Sequence, residues 1–125
     1  MGGISILVVD DDVSVNRAIQ TALIANSFCI KSAKTCAEGF DLASNKAPAL
    51  LLLDLELPDG TGWGVLEDIR SASPDSEIDD FKVIVISSTR VTRAQLRDHR
   101  IEKFIPKPFD MRLLVGTVSE VLAAP

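Results

Sequence analysis

ALLLLDLELPDGTG, residues 49–62, opens with an unbroken aliphatic run that stops at an aspartate. Leu50 to Leu53 leave no polar position on either side of an extended chain. The strand they form is therefore covered on both faces, as strands of a parallel sheet between two helical layers are. Working outward, three more apolar runs end the same way: ILVV (6–9) before Asp10, Asp11 and Asp12, VIVI (83–86) before Ser87, and FIP (104–106) before Lys107. The carboxyl ends of parallel strands share one edge, where α/β proteins bind ligands. Carboxylates, a hydroxyl and an ammonium scattered through the chain should therefore meet in one pocket.

Strand-like runs at 4–9, 28–33, 49–53, 83–87 and 103–106 alternate with longer segments of helical periodicity, a βα unit repeated five times. Val15, Ile19, Ala22 and Leu23 give the first helix an inward stripe, Phe40, Leu42 and Ala43 the second, and Val65, Leu66 and Ile69 the third. Asp110 is suited to cap the last helix, whose stripe is Met111, Leu114, Val115, Val118 and Leu122. The pattern predicts a doubly wound α/β sheet. SASPDSEIDDF (71–81), with Asp75, Glu77, Asp79 and Asp80, reads as a solvated acidic turn.

The 125 residues suit one domain, 1–125, large enough for a core without metal or disulfide staples. A net charge of −5 disfavours direct binding of nucleic acid or an anionic membrane. No apolar run approaches the roughly 20 residues that span a bilayer, and the start MGGISILVV lacks the basic residues of a signal peptide, so a cytoplasmic protein is expected. Cys29 and Cys36 have neither zinc nor redox spacing and read as structural thiols. His99, the lone histidine, sits among polar neighbours in RDHR and is expected to be exposed.

Oxygen ligands at close quarters suit a hard cation, and Mg²⁺ takes one or two carboxylates while sharing a phosphate oxygen. Asp10, Asp11 and Asp54 can supply that cluster. Lys107 offers a compact positive charge for a phosphoryl oxygen, and Ser87 a hydroxyl at the neighbouring strand end. A carboxylate can itself attack phosphorus to form an acyl phosphate, and Asp54, alone at its strand end, is the candidate nucleophile. The adjacent Asp10 and Asp11 are better placed as metal ligands, while Asp12 could simply cap the following helix. Neither GxxxxGK[ST] nor GxGxxG is present, which argues against an NTPase or a dinucleotide enzyme.

ILVVDDD (6–12), DLELPDGTG (54–62), VIVISS (83–88) and FIPKPF (104–109), in that order, resemble the receiver domain of response regulators in two-component signal transduction. The resemblance runs over essentially the whole chain. It implies a flavodoxin-like (βα)5 fold, with a doubly wound five-stranded parallel sheet in strand order 2-1-3-4-5. It also implies a phosphoacceptor at Asp54, and Mg²⁺ (or Mn²⁺) held by Asp10, Asp11, Asp54 and the backbone carbonyl of Glu56. Ser87 would be the switch hydroxyl, Lys107 the phosphate-contacting lysine and Phe104 the aromatic switch, with a cis peptide before Pro108. Glu56 and Thr89 occupy positions that would tune phosphoryl lifetime.

The partners so implied are a sensor histidine kinase or a histidine phosphotransfer protein, then a downstream effector or a fused output domain, with phosphorylation-dependent homodimerisation a further option. The module would catalyse its own phosphorylation and dephosphorylation without being an enzyme of metabolism. Its output surface would be the fourth helix, fifth strand and fifth helix, and the chain ends too soon after that helix to hold an output domain. The segment from Ser87 to Lys107 is shorter than the family pattern, so a short or irregular fourth helix is expected. Arg90, Arg93, Arg97 and Arg100, spaced 3, 4 and 3, would lie on one helical face as a basic patch, either solvated or docking an acidic partner. Two other functions compete: an aspartyl-nucleophile phosphatase of haloacid-dehalogenase type using Asp54 and Glu56, and a receiver-like interaction domain independent of phosphorylation.

Overall fold

The computed structural model describes residues 3–72 and 81–124, so most of the acidic stretch 71–81, with all four of its acidic residues, lies outside the described residues. The elements follow in the order β1 (Ser5–Val9), α1 (Val13–Ala25), β2 (Cys29–Ala33), α2 (Cys36–Asn45), β3 (Leu50–Asp54), β4 (Glu56–Leu57), β5 (Gly60–Thr61), α3 (Gly62–Ser71), β6 (Lys82–Ser87), α4 (Arg93–Asp98), β7 (Lys103–Pro106) and α5 (Met111–Ala123). Five parallel strands form one sheet in the order β2-β1-β3-β6-β7, which is 2-1-3-4-5 when only its own strands are counted. The expected fold is the observed one.

Strand periodicity explains the two layers. Successive side chains point to opposite faces of a sheet, and here both faces are apolar. Ile6, Val8, Leu50, Leu52, Ile84 and Ile86 pack with Ile19 and Leu23 of α1 and with Leu114, Val118 and Val121 of α5. The alternate residues Leu7, Val9, Leu51, Leu53, Val83 and Val85 pack with Ala43 of α2 and with Val65, Leu66 and Ile69 of α3. Leu50 to Leu53 are wholly buried, as their unbroken run predicts. In α5 the last buried position is Val121 rather than Leu122, which is partly buried and packs against the cluster.

Local chemistry sets where the helices begin. The side chains of Asp12, Thr35, Thr61, Thr92 and Asp110 each accept from a backbone N–H in the first turn of α1 to α5 respectively. α4 is only six residues long, with a capping box between Thr92 and Gln95, in line with the short fourth helix expected. Its end corrects the basic stripe. Arg90 precedes the helix, and Arg100 leaves it in the left-handed region at φ 55°, so only Arg93 and Arg97 share the helical face. The spacing rule assumed a helix longer than the capping allows.

Candidate functional site

The site begins with β1 and β3, whose carboxyl ends deliver Asp10 and Asp54. Both are buried, at 0% and 4% exposure, whereas Asp11 and Asp12 are exposed. The Asp10 backbone is fixed from two sides: its N–H donates to the Ala33 carbonyl at 3.0 Å, and its carbonyl accepts from Asn16 Nδ2 at 2.9 Å. Asn16 also donates to the Ala33 carbonyl at 3.1 Å and accepts from Gln20 at 2.8 Å, so one buried amide ties the ends of two strands to α1. Sequence reasoning missed it. A polar residue beside Val15 in a helix with an apolar stripe was the available signal.

Asp54 is held by the turn that follows it. β4 and β5 form a small antiparallel hairpin, pairing Glu56 with Thr61 and Leu57 with Gly60, which the sequence reading did not foresee. Within that turn the Glu56 N–H donates to Asp54 Oδ1 at 3.2 Å, and the Gly62 N–H donates to the Leu55 carbonyl at 2.9 Å. A Cβ at Gly62 would lie 2.5 Å from the Asp54 carbonyl oxygen, so glycine is required there by close approach. Asp59 anchors the hairpin to α2 by accepting from the N–H groups of Cys36 at 2.7 Å and Ala37 at 3.1 Å, bonds that hold its carboxyl below the usual range. Burial, with Asp59 alongside, pushes the Cys36 thiol up to about 11. Little of such a thiol is ionised at neutral pH.

Lys107 completes the centre from the end of β7. Its N–H donates to the Ser87 carbonyl at 2.8 Å, and the Lys107–Pro108 peptide is cis. The ammonium stands 2.8 Å from Asp10 Oδ2 and 3.1 Å from Asp54 Oδ2. Burial pulls the Lys107 pKa down, but the hydrogen bonds and charges of the two carboxylates outweigh it, and the ammonium is held above its ordinary value. For Asp10 the balance runs the other way. Burial raises its carboxyl above the ordinary range, helped by the charge of Asp54 and opposed by Lys107 and the Asp12 N–H.

Ligand atoms of Asp10, Asp11 and Asp54 lie within 4.8 Å of one another. Asp10 Oδ2 is buried and, among the described residues, meets no donor but the Lys107 ammonium. A buried carboxylate oxygen with only that one partner, in an all-oxygen cluster, fits a hard cation of the Mg²⁺ class. A cavity of about 390 Å³ opens onto Asp11, Asp12, Asp54, Glu56, Ser88 and Lys107. Glu56 is exposed at its mouth, Asp12 is spent on capping α1, and Ser88 supplies the hydroxyl on the cavity wall.

Ser87 lies beside this cavity without lining it. It is wholly buried, and its Oγ turns to Thr89. Phe104 is half-buried against the α2–α3 side of the core. His99 differs from expectation: it is half-buried and stacks on Trp63, with ring centroids 4.3 Å apart and planes inclined by 16°. Sequence neighbours were a poor guide because α3 supplies the contact.

A family model for the response regulator receiver domain matches residues 6–119. Response regulator MprA from Mycobacterium sp. (strain KMS) is 27% identical over 121 residues, covering 95% of this chain and 50% of that protein. The photosynthetic apparatus regulatory protein RegA of Rhodovulum sulfidophilum is 40% identical over 74 residues, 59% of this chain and 40% of RegA. The chain thus spans half or less of the length of these curated relatives. Among solved structures, the CheY-like receiver domain protein from Methanospirillum hungatei JF-1 superposes with a TM-score of 0.85 at 25% identity, covering 97% of this chain and 94% of that one. The non-phosphorylated HemR receiver domain from Leptospira biflexa does so with 0.85 at 27% identity, over 98% and 96%.

Proposed function

Because the chain belongs to the response regulator receiver domains of two-component systems, we propose that residues 1–125 are a single phosphoacceptor module whose Asp54 takes a phosphoryl group from a phosphohistidine. One observation carries this: the Lys107 ammonium bridges Asp10 and Asp54 at 2.8 and 3.1 Å, beside a third carboxylate at the sheet edge. An Asp54 oxygen attacks phosphorus while the P–N bond to the donor imidazole breaks, and the imidazole leaves with its electron pair and takes up a proton. Asp10, Asp11, Asp54 and the Glu56 carbonyl would hold Mg²⁺ or Mn²⁺, which when bound neutralises charge on the phosphoryl oxygens. Lys107, already positioned, supplies a second positive charge to those oxygens. The acyl phosphate is later lost to water, its lifetime tuned by Glu56, which lines the cavity with Asp54, and by Thr89, and no metabolite is turned over.

Added phosphoryl charge at Asp54 draws the Ser87 hydroxyl toward it and lets Phe104 move inward, changing the surface formed by α4, β7 and α5. A sensor histidine kinase or histidine phosphotransfer protein is the donor; an effector, a fused output domain or a second copy reads the altered surface. Among the described residues no helix is long and apolar enough to cross a membrane, and we place the module in the cytoplasm with such a donor. Intact-mass measurement after incubation with acetyl phosphate and Mg²⁺ tests the reading. One phosphoryl adduct, absent in Asp54→Asn and with chelator, is expected, together with no hydrolysis of a generic phosphomonoester. Folded protein without adduct would overturn it.

A further inference from the structure

The Ser87 backbone is tied to the neighbouring strand. Its carbonyl accepts the Lys107 N–H at 2.8 Å, and it is paired with Pro106 in the β6–β7 ladder. Turning its side-chain torsion redirects the hydroxyl without breaking either tie. In the structure that torsion is committed: Ser87 Oγ accepts from the Thr89 N–H at 3.0 Å and shares a hydroxyl–hydroxyl hydrogen bond of 2.8 Å with Thr89 Oγ1. Ser87 itself is wholly buried. A buried hydroxyl must keep a partner, and each available partner therefore defines one of two states.

We propose that the Thr89 hydroxyl is a latch on Ser87, favouring the resting rotamer and setting how readily Ser87 turns toward Asp54. This rests on the phosphoacceptor reading and adds to it a positioning residue that acts through Ser87. The phosphoryl group and Thr89 Oγ1 compete for the same hydroxyl, so a bond made in only one state biases the equilibrium by its own strength. The Thr89 N–H remains when the side chain is changed. Loss of the hydroxyl therefore weakens the resting state without leaving Ser87 unpartnered. Thr89 is exposed, so valine in its place creates no cavity in the core.

The test is calorimetric titration of the full chain with beryllofluoride, a phosphoryl mimic, in the presence of Mg²⁺. Removing one hydroxyl hydrogen bond predicts apparent affinity about five-fold tighter in Thr89→Val, with Thr89→Ser close to the parent. In a Ser87→Ala background the same Thr89→Val change is expected to do nothing, because the latch has lost its bolt. Unchanged or weaker affinity in Thr89→Val overturns the latch, as does equal tightening without the Ser87 hydroxyl. A changed acyl-phosphate half-life at unchanged beryllofluoride affinity also overturns it, by placing Thr89 at the hydrolysis step. Parent protein that binds no beryllofluoride overturns the phosphoacceptor reading and the latch together; binding that Thr89→Val leaves unmoved overturns the latch alone.

Discussion

Asp10 is ionised at a cost. Burial raises its carboxyl above the ordinary value, so the folded chain holds that proton more tightly than the unfolded chain does. The ionised form therefore subtracts stability as pH rises above the unfolded value, and the penalty is absent below it. Asp10→Asn removes the buried charge while keeping an acceptor for the Asp12 N–H, and Asp54 still pairs Lys107. The stability of the variant relative to the parent is expected to rise between pH 3.5 and pH 7, because only the parent carries the growing penalty; paired urea titrations at the two pH values would check it. At Gly62 the limit is steric. A Cβ there would sit 2.5 Å from the Asp54 carbonyl oxygen and 2.9 Å from Leu55 Cα, both backbone atoms. Gly62→Ala should lose about 2–3 kcal/mol in chemical denaturation, and a loss below half of that would show that the turn can yield.

At the scale of elements, α4 is the least anchored of the described helices. It has six residues and no buried side chain, so it is held chiefly by what its C-terminal end touches. His99 stacks on Trp63 of α3, and the Arg70 guanidinium, also from α3, donates to the His99 carbonyl and to the Arg100 carbonyl at 3.3 Å. The same guanidinium lies 5.7 Å from the Phe81 ring centroid. His99→Ala is expected to shift Trp63 emission to the red as the indole gains water, with a stability loss of about 1 kcal/mol. Unchanged emission would mean that the ring contact is not what shields Trp63. The opposite case is α5, where Leu114, Val118 and Val121 are buried and Lys82 donates to the Val121 and Ala124 carbonyls at 2.9 and 2.8 Å.

For the molecule as a whole, a cation bound by Asp10, Asp11 and Asp54 favours the folded chain, because only folding gathers the three. Mg²⁺ at ten times its dissociation constant should stabilise by about 1.4 kcal/mol, raising the melting temperature by about 5 °C; Asp11→Asn should abolish most of the rise. Thermal melts with and without chelator would show it. Strand positions, the two apolar faces and the ends at Asp10, Asp54 and Lys107 were legible in the sequence, because a doubly covered strand needs an unbroken aliphatic run and a ligand edge needs polar residues just beyond it. The Asn16 tie, the hairpin after Asp54, the stack of His99 on Trp63, the short span of the basic stripe and the commitment of Ser87 to Thr89 were decided only by the tertiary structure. Patterning along a chain determines which residues face a core. Which polar group meets which depends on turns, helix ends and side-chain torsions, some local and some set by distant elements, that patterning does not encode.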